Sequence, residues 1–327
     1  MVQGVRDIDF GYFIRPGESY EGMLDLARHA EELGLYGAFL NDHVVPLFGN
    51  KKLPFLESWT AITGIGLETK RLRVGHITLM NSMRNPAMLA KMISTLDNMI
   101  GGRYEVILGG GWMRDEYEGY DLMGRGRGVP SPKERVDRAK EAVHILRGML
   151  NNEEFSHVGR YWTLKNAINI PQPVQKNIRI SIGARKPRMF RISAKYCDGV
   201  NIQGPIPVLK NGLSYVLPAL DKAGKKMDDF FFSGFEHSLV LTDTEEGYDA
   251  LAKRMAGGRA FGFGGPTAVE NIKENAFVGT PEALVEKLRK AEDMGMKMMI
   301  AYVRPASNVE ESKERLAKFR DEVIKQL

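Results

Sequence analysis

Apolar residues in this chain gather into short runs at fairly regular intervals. Strand-like runs stand at IDFGYFI (8–14), YGAFLND (36–42), LRVGHITL (72–79), YEVILGGG (104–111), IRISIG (178–183), GVNIQG (199–204), FEHSLVL (235–241) and KMMIAYV (297–303). Most are nearly continuous in apolar residues, the pattern of parallel strands covered on both faces. Helical stripes lie between them. Met23, Ala27, Ala30 and Leu33 recur at the 3.6-residue period, with Gly34 where a C-terminal cap belongs. Val136, Ala139, Val143, Leu146 and Leu150 form a second stripe. In GTPEALVEKLRKAEDMG, Thr280 is the expected N-cap, Pro281 the first helical residue, and Leu284, Leu288 and Ala291 the buried face.

Eight strands alternating with helices predict an α/β (β/α)8 TIM barrel spanning residues 1–327 as one domain. An open doubly wound sheet would place GxGxxG directly after its first strand, and here IRPGESYEGM follows. Two segments interrupt the rhythm. Residues 151–177 read as a hairpin inserted after the fourth helix, and residues 257–278 as a Gly-rich excursion with a short helix before the last β/α unit.

Composition narrows the function classes. The formal charge of +5 is spread along the chain and not gathered in a tail, which disfavours nucleic-acid binding. A single cysteine, Cys197, rules out an intramolecular disulfide and suits a reducing compartment. The N-terminus lacks a signal-peptide build and no apolar run reaches the roughly 18 residues of a membrane helix. The expectation is a cytoplasmic protein with a small-molecule substrate.

In such a barrel the chemistry sits at the C-terminal ends of the strands. Those ends supply Phe13 and Arg15; Asn41, Asp42 and His43; His76, Ile77 and Thr78; Gly109 to Arg114; Gly183, Ala184 and Arg185; Asn201 and Gln203; and Tyr302 and Arg304. No two of the six histidines stand at metal-ligand spacing, so no metal is expected. Cys197 lies in the helical pattern RISAKYC, where an apolar role is expected. What remains suits a planar cofactor that carries the hard chemistry. His43 either moves a proton, with Asp42 orienting it, or packs beside a loop carboxylate that caps the next helix. In SIGARK, Gly183, Ala184 and Arg185 lead into a helix N-terminus that either binds an anion or is a solvated basic helix start. The basic loop GRGRGV (124–129) is either solvated or covers an anionic tail.

Four segments, AEELGLYGAFLNDHV, RLRVGHITLMNSMRNPAMLAKMISTLDNMIGGRYEVILGGGWMRDEY, SIGARKPRMFRISAKYCDGVNIQG and VGTPEALVEKLRKAEDMGM, occur in one order across the chain. Together they resemble the bacterial-luciferase-like superfamily, in particular its coenzyme F420-dependent oxidoreductases, including the methylenetetrahydromethanopterin reductase-like branch. The resemblance implies a (β/α)8 barrel, a homodimer and hydride transfer between F420, a deazaflavin, and an organic substrate. It places Asp42 and His43 beside the deazaflavin ring, with His43 as proton donor or orienter. His76-Ile77 matches a strand bulge where the F420-dependent members carry a non-prolyl cis peptide behind the ring. Thr78 would meet the ring's polar edge, Gly110 and Gly111 would leave room for ring or substrate, and the amides of Gly183, Ala184 and Arg185 would hold the cofactor phosphate.

One departure is informative. The sugar-phosphate dehydrogenase branch keeps a catalytic glutamate just after the fourth-strand glycines, where this chain has Trp112, followed by the acidic pair Asp115 and Glu116. That points to a flatter or more apolar substrate, in a pocket expected to include Trp112, Phe48, Met80 and Tyr302. Two other readings stay open: an FMN-dependent monooxygenase of the same fold, and a cofactor-binding relative without turnover.

Overall fold

A computed structural model describes residues 8–15, 17–258, 263 and 265–327. Its centre is a closed ring of eight parallel strands: β1 (Asp9–Phe13), β2 (Gly37–Leu40), β3 (Arg73–His76), β4 (Tyr104–Gly109), β5 (Ile180–Ala184), β6 (Gly199–Gln203), β7 (Phe231–Leu241) and β8 (Met296–Arg304). Each pairs with the next, and β8 returns to β1 through the register Asp9↔Met298 to Tyr12↔Ala301. Helices α1 (Tyr20–Glu32), α2 (Ser58–Glu68), α3 (Pro86–Met99), α4 (Pro132–Asn151), α5 (Pro187–Tyr196), α6 (Ile206–Lys222), α7 (Pro281–Asp293) and α8 (Val309–Glu322) follow the strands in turn. The architecture is a (β/α)8 barrel.

Local chemistry starts these helices where the sequence marks them. Ser19, Asn85, Ser131 and Thr280 each accept a backbone N–H from the first turn, and Pro86, Pro132 and Pro281 occupy first-turn positions where their missing N–H costs nothing. Gly34, at φ +74°, supplies the left-handed residue that ends α1.

Three places differ from the sequence pattern. The third run breaks after His76, and Leu79–Met80 then pairs separately with Leu108 and Gly109 of β4. β7 begins at Phe231, four residues before the predicted run, because Ser233 interrupts the apolar pattern. That hydroxyl is satisfied inside the sheet, accepting from Asn201 Nδ2 at 3.0 Å. Between β7 and α7 the chain adds the helices Glu245–Ala256 and Val269–Asn275, whose Tyr248, Leu251, Ala252 and Ile272 form a small core of their own. Part of the predicted Gly-rich excursion, residues 259–262 and 264, lies outside the described residues. The segment 151–177 contains an antiparallel pair, Glu154–Val158 with Thr163–Ile168. The Glu141 carboxylate on α4 ties down its turn by accepting the backbone N–H groups of Arg160, Tyr161 and Trp162.

Inside the barrel, size alternates from strand to strand. The fully buried Phe39 ring lies where Cβ atoms at Gly11, Gly37 and Gly75 would stand, at 2.6, 3.1 and 3.0 Å respectively. Three neighbouring strands thus give up side chains so that one aromatic ring fills the layer. Among the described residues no helix is long and apolar enough to cross a membrane.

Phe39→Ala is expected to lower unfolding free energy by about 3–5 kcal/mol in urea titration. Gly11→Ala should destabilise the wild type more than it destabilises Phe39→Ala, since the truncated ring vacates the space. Equal costs in the two backgrounds would show that the ring and the glycine do not compete for it.

Candidate active site

Parallel closure brings all eight C-terminal strand ends to one mouth. There, His43 Nδ1 lies 2.9 and 3.0 Å from the two carboxylate oxygens of Glu116. Glu116 is fully buried on the short helix Arg114–Gly119 and also accepts the Val44 N–H at 2.9 Å. The carboxylate fixes the tautomer of a neutral His43: Nδ1 carries the proton and Nε2 is left as the exchangeable nitrogen. Among the described residues Nε2 has no hydrogen-bond partner. The expectation that Asp42 orients His43 is therefore corrected. The chain turns tightly at Asp42, where the His43 N–H donates to the Asn41 carbonyl at 3.0 Å, and the two side chains go to different partners. Glu116 does that work from the loop after β4.

Asp42 faces the other way, into a buried network. Its carboxylate accepts Arg84 Nη1 at 2.7 Å and Nη2 at 3.1 Å, the Met80 N–H at 2.8 Å and the Ser58 hydroxyl at 3.3 Å. Arg84 also reaches Glu57 at 2.7 Å and lies over the Trp59 ring. Burial alone would raise the Asp42 pKa; the Arg84 guanidinium, His76 and the donated hydrogen bonds outweigh it and hold the carboxyl below the usual range.

His76 belongs to the same network. It points outward from β3 beneath α2, fully buried, with its ring stacked on Trp59 at 5.4 Å and 7°. Burial pushes its pKa down to about 4, with Asp42 opposing the shift and Arg84 adding to it. The neutral ring accepts at Nδ1 from the Tyr104 hydroxyl at 2.8 Å, a phenol that burial holds well above its ordinary pKa.

The peptide bond between Ile77 and Thr78 is cis, one bond beyond the pair that carried this expectation. Thr78 follows it, partly exposed and wedged between two glycines. A Cβ at Gly183 would stand 2.6 Å from Thr78 Cγ2, and one at Gly109 would collide with its hydroxyl. The three glycines of LGGGW have different reasons. Gly109 clears Thr78. Gly111 has φ +70° and packs closely on Met80 and the Tyr117 hydroxyl, so its small size serves the protein's own packing, a correction to the idea that it makes room for a ligand. At Gly110 a Cβ would meet nothing within 4 Å.

Of the expected pocket residues, Trp112 is half exposed with its ring edge-on to His43 at 6.0 Å, Met80 is buried against Gly111, and Phe48 is exposed. Tyr302 is buried beneath Arg15. Ala184 is buried at the end of β5, and the exposed Arg185 and Lys186 lead into α5. Lys186, the N-cap, makes no side-chain cap. Sequence reading did not single out Arg84 or His237, and it noted Glu116 only as part of an acidic pair. His237 lies on β7 with its ring against Phe13 and Phe235 at 5.2 and 4.5 Å. Only the DE pair after GGGW hinted at Glu116. The other two carry no local motif, because their partners come from distant strands.

A groove of about 810 Å³ runs between α4 and the inserted hairpin. It contains no strand-end residue, and its acids Asp137 and Glu141 are engaged by Lys133 and by the hairpin amides. Among the described residues no group of three or more His, Cys, Asp or Glu side chains could hold a metal.

His76 sets an acid limit. Its folded-state pKa lies below the unfolded value of 6.5, so the unfolded chain binds the proton first. Stability is fully present above pH 6.5 and falls as the pH drops toward 4, by about 2–3 kcal/mol from this residue. The gap between urea midpoints at pH 7 and 4.5 should narrow in His76→Phe, which keeps the ring stack, and the remainder belongs to other groups such as His237. A pH dependence equal to that of the wild type would remove His76 from the account.

The luciferase-like monooxygenase family profile matches residues 8–298. An F420-dependent glucose-6-phosphate dehydrogenase of Microbacterium testaceum (strain StLB037) is 31% identical over 214 residues, covering 63% of this chain and 60% of that protein. A pyrimidine monooxygenase of Cronobacter turicensis is 26% identical over 265 residues, covering 71% and 66%. The chain thus spans less than two thirds of the length of these curated relatives. An F420-dependent secondary alcohol dehydrogenase, solved with an F420–acetone adduct, shares the fold at TM-score 0.79 with 19% identity, over 97% of this chain and 98% of that one. The F420-dependent tetrahydromethanopterin reductase of Methanopyrus kandleri does so at 0.75 with 19% identity, over 98% and 99%. With residues 8–298 matched and the barrel closed, the chain belongs to the luciferase-like monooxygenase family.

Proposed function

We propose that this protein is an F420-dependent oxidoreductase acting on a small organic substrate. The observation that carries the reading is the pair His43–Glu116: a histidine at a strand end, fixed at Nδ1 by a buried carboxylate, with Nε2 left for chemistry. The F420-dependent relative at 31% identity supports the choice of cofactor.

The mouth fits a planar ring. Gly110 opens onto free space, Thr78 offers a hydroxyl between Gly109 and Gly183, and the buried Asn41 Oδ1 at the end of β2 has no partner among the described residues. Thr78, Gly110 and the segment Ile77–Met80 would hold the ring, and the backbone from Gly183 to Arg185 with the start of α5 would hold its phosphate. Asp42 and His76 would support that wall from behind. F420 supplies a two-electron hydride acceptor or donor. In the oxidising direction His43 Nε2 takes the substrate's hydroxyl proton, and in the reducing direction it returns a proton to the carbonyl oxygen. Glu116 keeps Nε2 aimed and stabilises the imidazolium. Trp112, where the sugar-phosphate branch keeps its glutamate, narrows the entrance with an apolar ring and favours an apolar or flat substrate. The pyrimidine monooxygenase relative supports a second reading, in which FMN takes the same place.

Cofactor choice is tested by titrating the purified protein with F420 and with FMN under fluorescence detection. F420 should bind at least tenfold more tightly; preferential FMN binding with oxygen consumption would overturn the assignment in favour of the monooxygenase reading. His43→Gln is expected to lower kcat by roughly 10²–10⁴-fold while leaving the F420 dissociation constant within about threefold. Glu116→Gln, which keeps the fold of the loop and a hydrogen-bond partner for Nδ1, should give a smaller loss with a displaced pH profile. Unchanged turnover in both variants would remove the pair from the chemistry, whereas F420 binding with no turnover of any substrate by the wild type would favour a binding protein without catalysis.

A further inference from the structure

A second histidine reaches the mouth. His237 follows Phe235 by two residues on β7 and keeps to the same face, the barrel interior, where both rings pack on Phe13 at the end of β1. The β7–β8 ladder loses its regular register immediately beyond this point. Glu236 pairs with Ala301 and Leu239 with Val303, so His237 and Ser238 together oppose Tyr302. One extra residue is therefore accommodated at the rim, the position where a bulge ends regular pairing and presents a side chain to a site.

The ring is mostly buried, yet no described residue hydrogen-bonds either of its nitrogens. Its nitrogens are not sealed from solvent, so their hydrogen-bonding capacity stays open to a ligand at the mouth. His237 also lies within electrostatic reach of His43. The mouth thus carries two histidines of different kinds. His43 is tied to a carboxylate, whereas His237 packs on the rings of Phe13 and Phe235.

We infer that His237 is a specificity-determining residue, which hydrogen-bonds a hydroxyl or carbonyl oxygen of an uncharged substrate while the buried Phe13 and Phe235 hold the imidazole ring in place. The inference rests on the function proposed above and assigns the substrate class of that same mouth. Burial, followed by repulsion from His43, pushes the His237 pKa down to about 4. The ring is therefore uncharged at neutral pH. It can accept or donate a hydrogen bond but gives a carboxylate no ion pair, so uncharged oxygens are favoured over anionic ones.

The test uses the full chain labelled with ¹⁵N-histidine, at pH 7.5, with cyclohexanol and cyclohexanone as uncharged probes and cyclohexanecarboxylate as the anionic one. The His237 resonances, assigned by their loss in His237→Phe, should move saturably with the two uncharged probes and bind the carboxylate at least tenfold more weakly. His237→Phe keeps a ring against Phe13 and Phe235, and should bind the uncharged probes at least tenfold more weakly. His237→Gln, which restores a donor and an acceptor, should recover affinity to within about threefold. Equal affinity in wild type and His237→Phe, a preference for the carboxylate, or no saturable shift at all would overturn the inference. Should His237→Phe fail to fold, the wild-type shifts and His237→Gln decide it. A parallel F420 titration of the wild type separates the two readings, since loss of F420 binding would sink the cofactor assignment and leave the histidine shifts to judge His237.

Discussion

The Asp42 carboxylate is the pin on which the arrangement of the mouth depends. It accepts both arms of Arg84, the Met80 amide and the Ser58 hydroxyl, so one buried group joins the end of β2, the segment after β3 and the start of α2. A carboxylate taken out of water needs this full set of partners. With one partner removed, an uncompensated charge would stay buried. Because Met80 is held from behind, the segment Ile77–Met80 has one position, and Thr78 is presented between Gly109 and Gly183 at that position. The stacked His76 and Trp59 close the same space with apolar surface.

The pin also separates two roles that adjacent residues would otherwise share. Asp42 is committed to the Arg84 network, and His43, bound to Glu116 through Nδ1, keeps Nε2 without a partner among the described residues. Its own support has to come from elsewhere, and the loop after β4 provides it. The short helix Arg114–Gly119 buries Glu116 against His43 and the Val44 amide, while Trp112, just before it, stands at the entrance. One loop therefore both aims the histidine and shapes the approach to it. Across the mouth, β7 adds an imidazole of the opposite character, packed among rings and uncharged at neutral pH. Under the proposed function, the carboxylate-backed histidine would serve the proton-transferring end of a substrate and the apolar-backed one its recognised end.

Much of the fold was legible along the chain because a parallel barrel leaves a local signal. Each strand is covered on both faces and so reads as an apolar run, and each helix announces itself by caps such as Ser131-Pro132 and Thr280-Pro281. The beginning of β7 was missed because Ser233 is polar in the sequence and satisfied only by Asn201 across the sheet. At the site, His43, Thr78 and Gly183 could be picked out by their place at strand ends. The partnership of His43 with Glu116 could not, since 73 residues separate them and the adjacent Asp42 offered a plausible local partner.

The sequence by itself determined the number and order of strands and helices, and hence which residues stand at the mouth, because hydrophobic periodicity and capping are local properties. Only the tertiary structure decided which side chain serves which neighbour. It turned Asp42 away from the mouth to Arg84, gave His43 to Glu116, placed His76 behind the wall and brought His237 in from β7. Those outcomes depend on barrel closure and on the direction in which each extended residue leaves the sheet, and no stretch of chain carries either by itself.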